Sequence, residues 1–296
     1  MADDRTITCT NEDNVSAVFS RLSTPFILID CDGIYEVTNN VSTSDNTMTD
    51  GATYQGSVAK MRNIVLTLQE SKGADHRNNR DYLYTLFKPK TTGTFTYRED
   101  ADATARQIEY YVESISISTQ YSSRSATISL LCPDPYFVDP SDTIVSFAGW
   151  EALFEFEHEF IDGGEELAER TREKLAEIYN ETATENIGLT ITITAVGDVT
   201  NPTVTHVEQG QSITIGTESK PFAMSYGEQV VITTYTNDKH IYSVIDGEQT
   251  EINQYLSEDS EFIQLTTGSN TIGYSADSGE DYMELSVSYR YRYAGA

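Results

Sequence analysis

Apolar side chains recur mostly at every second position along this chain, the period of a strand with one buried face. Met61 to Leu68 sets Ile64, Leu66 and Leu68 on one face, and Ala126, Ile128 and Leu130 repeat the pattern until Pro133 and Pro135 end it. Between them Ile108, Tyr110 and Val112 keep even parity, whereas Ile115 and Ile117 are odd. A slip of one residue turns the apolar set outward, so the spacing predicts a β-bulge or sharp bend at Glu113–Ser114. Phe95 and Tyr97 share one face of a strand that follows a turn at Gly93. Thr24 to Ile29 reads as a buried strand ahead of a turn at Asp32-Gly33, the polar run 38–50 as a long exposed loop or hairpin tip, and Asn11 to Phe19 as a turn of helix.

Helical period appears twice. Leu83, Leu86 and Phe87 share a face behind an N-cap at Asn78 or Asn79, and Pro89 stops that helix at about Lys88. Asp162-Gly-Gly-Glu165 has capping-box spacing, and Leu167, Thr171, Leu175 and Ile178 continue it, which predicts an acidic helix over 163–182. Ahead of it, 152–160 alternates as a strand with Phe154, Phe156, His158 and Phe160 on one face. From Asn186 onward the chain is strand and turn at β-sandwich spacing. It ends on a run from Leu285 to Tyr293 in which Arg290 and Arg292 oppose the tyrosines and pair with acids across the sheet.

These elements predict a mainly β fold: a domain over 1–140 with one short helix, a connector over 141–187, and a β-sandwich over 188–296. At 296 residues, each of the two larger parts is long enough to bury a core of its own.

Charge narrows the function. There are 47 acidic against 19 basic side chains, a net charge of −28. Residues 1–140 carry 19 acids and 12 bases, 141–187 carry 13 and 3, and 188–296 carry 15 and 4. Phosphate backbones and anionic membranes are repelled by such a balance. Cys9, Cys31 and Cys132 are too scattered for a disulfide framework or zinc site and suit a reducing cytoplasm. No secretory signal is visible and no apolar run reaches membrane-spanning length, so neither export nor membrane insertion is expected.

Candidate chemistry is sparse. Nucleophile elbows, phosphate loops, zinc and calcium motifs are missing, and His76, His158, His206 and His240 fall in different elements. Asp30 and Asp32 read as a solvated turn, Glu258-Asp259-Ser-Glu261 as a solvated loop, and Trp150 as a packing residue near the domain junction. No catalytic residue, metal ligand or cofactor is expected, and an enzyme is not.

Several fragments together carry a resemblance. Pro25 to Ile29 with Asp32-Gly33, Asp50-Gly51 leading to Arg62-Asn-Ile-Val-Leu66, Leu86-Phe87-Lys88-Pro89-Lys90 with Gly93, and Cys132-Pro133-Asp134-Pro135-Tyr136-Phe137 resemble the N-terminal domain of the distal tail proteins of siphophages. The second half is similar in layout to the galectin-like sandwich that follows in that family, including the Asp246-Gly247 turn and the Tyr-Arg-Tyr-Arg-Tyr ending, whereas the acidic segment 162–182 departs from its shortest members.

The resemblance implies an N-terminal β-sandwich or split barrel, with Gly51, Arg62, Phe87, Lys88, Pro89, Gly93, Pro133, Asp134, Pro135, Tyr136 and Phe137 as structural positions. It implies a virion protein of the tail tip, made in the host bacterial cytoplasm. Six copies would form a ring joining the tail tube protein to the tail-associated spike or lysin protein and to receptor-binding proteins, and DNA would pass through unbound. The rival reading is a lectin-like module contacting the host surface, suggested by the galectin-like layout and nine tyrosines after residue 220, although 188–296 has no Trp platform.

Overall fold

The structure is a computed structural model that describes residues 5–46, 48, 50–71, 75–118, 124–152, 168–172, 174–181 and 186–296. Two units divide the chain: one is Met1–Pro140 together with Arg292–Ala296, the other Ser141–Tyr291. The second unit is therefore inserted into the first, and the chain crosses between them twice.

In the first unit the strands are β1 (Thr6–Asn11), β2 (Ser16–Phe19), β3 (Phe26–Asp32), β4 (Asn39–Asp45), β5 (Ala52–Ala59), β6 (Arg62–Glu70), β7 (Thr92–Arg98), β8 (Arg106–Ile117), β9 (Ser125–Cys132) and β10 (Phe137–Val138). The main sheet runs β2-β1-β7-β8-β9-β6-β3. Its two outer strands meet where Ser20 bridges Ile27 and the Leu28 N–H donates to the Ser20 carbonyl at 2.8 Å, so the sheet curls toward closure. Inward-facing Ile64, Leu66, Leu68, Phe95, Ile108, Tyr110, Ile128 and Leu130 fill it.

The expected bulge is present. Val112 pairs with Leu130 and Ser114 with Ser129, which leaves Glu113 as the extra residue. Its carboxylate accepts from Ser129 Oγ at 2.6 Å and Asn63 Nδ2 at 3.0 Å, so the bulge is pinned across three strands.

Helix α1 spans His76–Leu86 and buries Leu83 and Leu86. Its N-cap is Asp75, whose carboxylate accepts from the Asn78 N–H, and not Asn78 or Asn79. The aspartate lies three residues upstream of the expected cap at Asn78 and satisfies one open donor of the first turn. One further reading needs correction. Asn11 to Phe19 is a strand, a turn and a strand, because the buried Asn11 side chain accepts from the Asp13 and Val15 N–H groups and folds the backbone there. Of the two alternatives for the polar run 38–50, the hairpin is present: the run supplies β4 and the tip, and β5 closes it.

The second unit holds a six-stranded sheet in the order Thr143–Ser146, Met283–Tyr289, Thr190–Ala195, Gln229–Tyr235, Asp238–Ile245, Glu248–Glu251. A five-stranded sheet runs Leu175–Asn180, Gly268–Ser278, Val199–His206, Gln211–Thr214, with Ala223–Met224 beside Val199–His206. Their inner faces share one core that includes Leu189, Ile191, Ile193, Val204, Ile213, Val230, Ile232, Ile272, Leu285 and Val287.

The acidic helix expected over 163–182 is overturned where the chain is described: Ala168–Arg172 and Leu175–Asn180 are strands. Leu175 and Ile178 fit a helix by spacing, but Leu175, Glu177 and Tyr179 point outward and Ile178 and Asn180 inward, which is period two. The edge of Gly268–Ser278 supplies backbone partners all along this strand, and tertiary pairing overrides the local pattern. Residues 163–167, 173 and 182 lie outside the described residues, as do 153–160 of the expected strand 152–160, including His158. Ala148–Ala152 pairs with Ala168–Arg172. Thr143–Ser146 and Leu175–Asn180 join sheets of the second unit, so in the described residues 141–187 is not a separate connector.

Candidate functional site

β6 begins with an arginine at the parity of Ile64, Leu66 and Leu68, so Arg62 points inward and is only 4 % exposed. Its fork is matched by backbone carbonyls. Nε donates to Pro135 O at 2.8 Å, Nη1 to Gly33 O and Ile34 O at 2.7 Å each, and Nη2 to Ala294 O. The Phe137 ring lies beneath the guanidinium carbon at 4.9 Å. Burial pulls the Arg62 pKa below its ordinary value, with the Cys132 and Glu36 charges opposing that. Carbonyl dipoles thus hold a buried cation, a task the five fixed donors of a guanidinium suit and an ammonium does not.

The cradle joins three distant pieces of chain. Gly33, at φ +88, lies so close to the Asn63 carbonyl that a side chain could not fit. Pro135 belongs to the segment 133–137, where the Asp134 carboxylate takes both oxygens' worth of Arg292 at 2.7 Å and the Tyr136 ring lies 4.5 Å from the Arg292 guanidinium. Phe137 and Val138 pair with Tyr293 and Arg292. Arg106 donates to Gly295 O at 2.5 Å and stacks on the Tyr293 ring at 4.0 Å.

Of the sequence-singled positions, the structure therefore brings Arg62, Asp134, Pro135, Tyr136 and Phe137 into one cluster, with Pro133 opening the same turn. Phe87 and Gly93 meet elsewhere. Phe87 caps α1 and packs on Phe19 and Tyr110, and a methyl on Gly93 would run into the Tyr110 ring and the Thr10 carbonyl. Lys88, before Pro89, pairs with Asp13 on the surface. Gly51, at φ +98, sits alone in the β4–β5 turn. Arg290 and Arg292 do pair with acids, Arg290 with Asp142 at 2.5 Å, but the expected run to Tyr293 breaks after Tyr289.

Sequence reasoning missed two groups. Asn11, besides folding its turn, donates through Nδ2 to the Thr85 and Leu86 carbonyls and closes the C-terminus of α1. The carbonyl partners Gly33, Ile34 and Ala294 carry no side-chain signal at all. The remaining titratable clusters have structural roles. Glu70 accepts from His76 Nδ1 at 2.9 Å and Asn79 Nδ2 at 2.7 Å, and buried His206 bonds Asn270 at 2.9 Å. His240 lies between Glu251 and Asp238 on the surface. Among the described residues, no three His, Cys, Asp or Glu side chains converge as metal ligands, and no helix is long and apolar enough to cross a membrane.

Residues 21–132 match the family of phage tail protein RIFT-related domains, and residues 182–293 match the siphovirus-type tail component, C-terminal domain. Among solved structures, the chain is similar to the Dit (gp 19.1) protein of SPP1, described as a paradigm of the hub adsorption apparatus in phages infecting Gram-positive hosts. The TM-score is 0.68 at 12 % identity, covering 97 % of this chain and 99 % of that one. A chain of the phage P2 baseplate in its activated conformation with Ca gives a TM-score of 0.52 at 10 % identity, covering 99 % of both. The same baseplate with Sr gives 0.51 at 9 %, again covering 99 % of both. No curated protein matches the sequence.

Proposed function

We propose, from the premise that this chain belongs to the distal tail protein family of siphophages and has a structural role at the tail hub, that six copies close into a ring at the tail tip. The first unit forms the ring, under the last ring of tail tube protein. The second unit, a galectin-like sandwich, meets the tail-associated spike or lysin protein and the receptor-binding proteins. The observation that carries this reading is that two tail-component families match in order, one inside the first unit and the other over the second except for its last two residues, while a hub protein shares the fold along almost its whole length.

Such a protein works by contact surfaces, and a head-to-tail contact that closes by rotation produces a ring. The net charge of −28 fits a conduit that DNA traverses without sticking, since lysine and arginine contacts are what trap phosphates. Arg62 is removed from that question by its burial.

Mass measurement in solution with negative-stain imaging tests the ring. Sixfold particles support it. A chain that stays monomeric at high concentration and is absent from the tail tip by immunogold labelling of virions ends it.

A further inference from the structure

At one end of the second unit, two turns are tied to the end of a single strand. The Gly227 N–H donates to the Ala195 carbonyl at 2.8 Å, and the Val196 N–H donates to the Tyr282 carbonyl at 2.8 Å. Thr190–Ala195 lies between Gln229–Tyr235 and Met283–Tyr289 in its sheet, so Tyr226 and Tyr282 stand on either side of its end. Two strand spacings put their backbones roughly 10 Å apart. Both rings reach solvent, Tyr226 at 81 % exposure and Tyr282 at 51 %. Gly197, just past the strand end, lies against the Tyr282 ring, where a methyl would come within 2.6 Å of it. The turns are held by their own bonds. The Tyr282 N–H donates to the Gly279 carbonyl at 2.8 Å, Gly279 at φ +76 packs on the Asp198 carbonyl, and the Ser225 N–H donates to the Glu228 carboxylate at 3.2 Å. Three carboxylates, Asp198, Glu280 and Asp281, belong to the same turns, and Lys174 reaches Glu280 at 2.8 Å and Asp281 at 4.0 Å.

We propose that Tyr226 and Tyr282 form an aromatic clamp that receives an arginine side chain of a partner protein. The inference rests on the reading that the second unit meets other tail proteins, and it names the side chain they offer. Chemistry selects the occupant. A guanidinium is planar, so it can lie against the tyrosine rings while its donors reach the carboxylates of the turns. An acidic side chain is repelled by those carboxylates and by the chain's net charge of −28, and an aliphatic one gains nothing from them. A lysine ammonium is compact and strongly hydrated and stacks less well. The tyrosines suit the task because each fixes only two χ angles on contact and sits on backbone that is already bonded.

The test titrates the full chain with two short glycine-serine peptides, one carrying a central arginine and the other citrulline, its uncharged isostere. Saturation-transfer NMR reads the binding, and native mass spectrometry and thermal unfolding run alongside. The arginine peptide binds, and the citrulline peptide is weaker on the order of ten-fold. Tyr226→Ala and Tyr282→Ala leave every charge in place yet each weakens arginine binding about five-fold or more, while Tyr226→Phe/Tyr282→Phe retains it. Mass and unfolding midpoint stay those of the wild type. Alanine variants that bind as tightly as the wild type overturn the clamp, because the acidic field alone would then attract the peptide. Citrulline binding equal to arginine overturns it as well. An arginine peptide that does not bind has the same effect, and a sixfold mass in that sample leaves the ring reading standing. Alanine variants that lose assembly together with binding also overturn the clamp, since the tyrosines would then belong to contacts between copies.

Discussion

Replacing Arg62 by methionine keeps most of the side-chain volume but removes the four hydrogen bonds that tie Pro135, Gly33, Ile34 and Ala294 to one point. A hydrogen bond to a charged group contributes about 1.5–3 kcal/mol. The four are not additive, because removing one donor frees all its partners at once. Leaving a buried acceptor without its donor costs about 1–3 kcal/mol, and with four carbonyls released together the expected loss for Arg62→Met is about 4 kcal/mol in the first unit. For a unit of this size that lowers the unfolding midpoint by about 8–16 °C. Arg62→Lys falls between, since one ammonium cannot reach carbonyls arranged around a planar fork. Differential scanning calorimetry reads the first unit, while the chain's one tryptophan, Trp150, reports by fluorescence on the second, whose midpoint stays put. Deleting residues 292–296 removes Ala294 as well. The deletion and Arg62→Met then couple by at least about 1 kcal/mol in a double-mutant cycle. If Arg62→Met unfolds within about 1 kcal/mol of wild type, the cradle contributes little and the reasoning fails.

Gly93→Ala forces a methyl into the Tyr110 ring and Thr10 carbonyl, and should destabilise the first unit by about 2–4 kcal/mol in urea titration, against about 1–2 kcal/mol for Gly51→Ala, where the methyl meets open space and only the positive φ strains it. Asn11→Ala frees the Thr85 and Leu86 carbonyls and the turn at 11–15, for a loss of about 2–3 kcal/mol that hydrogen exchange should localise to the end of α1. Burial pushes the Cys132 thiol from an ordinary 9.0 up to about 12, so between those values the folded chain holds a proton that the unfolded chain has lost. Stability contributed by the neutral thiol is complete below pH 9 and declines toward pH 12 by on the order of 1 kcal/mol per pH unit, and Cys132→Ala should flatten that slope in denaturation at stepped pH.

Parity made much of the first unit legible from sequence. The switch from even to odd apolar positions between Val112 and Ile115 can be absorbed only by an extra residue, and Glu113 is that residue. The same rule held an unread clue, because Arg62 shares the parity of Ile64 and Leu66 and had to face inward. Its partners could not be read, since a carbonyl oxygen is present at every residue and only the fold decides which converge. The segment 163–182 failed for the opposite reason: a few apolar residues three or four apart satisfy a helix, and nothing local announces that Gly268–Ser278 offers a free edge to 175–180. Tyr-Arg-Tyr-Arg-Tyr reads as one unbroken strand, so the passage of Arg292 and Tyr293 into the first unit leaves no trace in the pattern.

That passage gives the buried arginine a wider meaning. The chain leaves the first unit after Pro140 and re-enters it at Arg292, and the strands flanking these crossings, Phe137–Val138 and Arg292–Tyr293, are hydrogen-bonded to each other. Any pull on the inserted second unit reaches the first through two covalent connections. Arg62 binds the chain on both sides of the insertion, at Pro135 before it and at Ala294 after it, while Arg292 grips Asp134 and Arg106 holds Gly295. Anchors at both crossings keep the two connections from slipping. Backbone carbonyls gathered on buried or stacked guanidinium groups supply them without a disulfide, and the described cysteines are free. The chemistry concentrated in this cluster therefore serves cohesion, and it lies in the first unit, where the ring contacts are proposed and where a loosened tail would be felt by every copy.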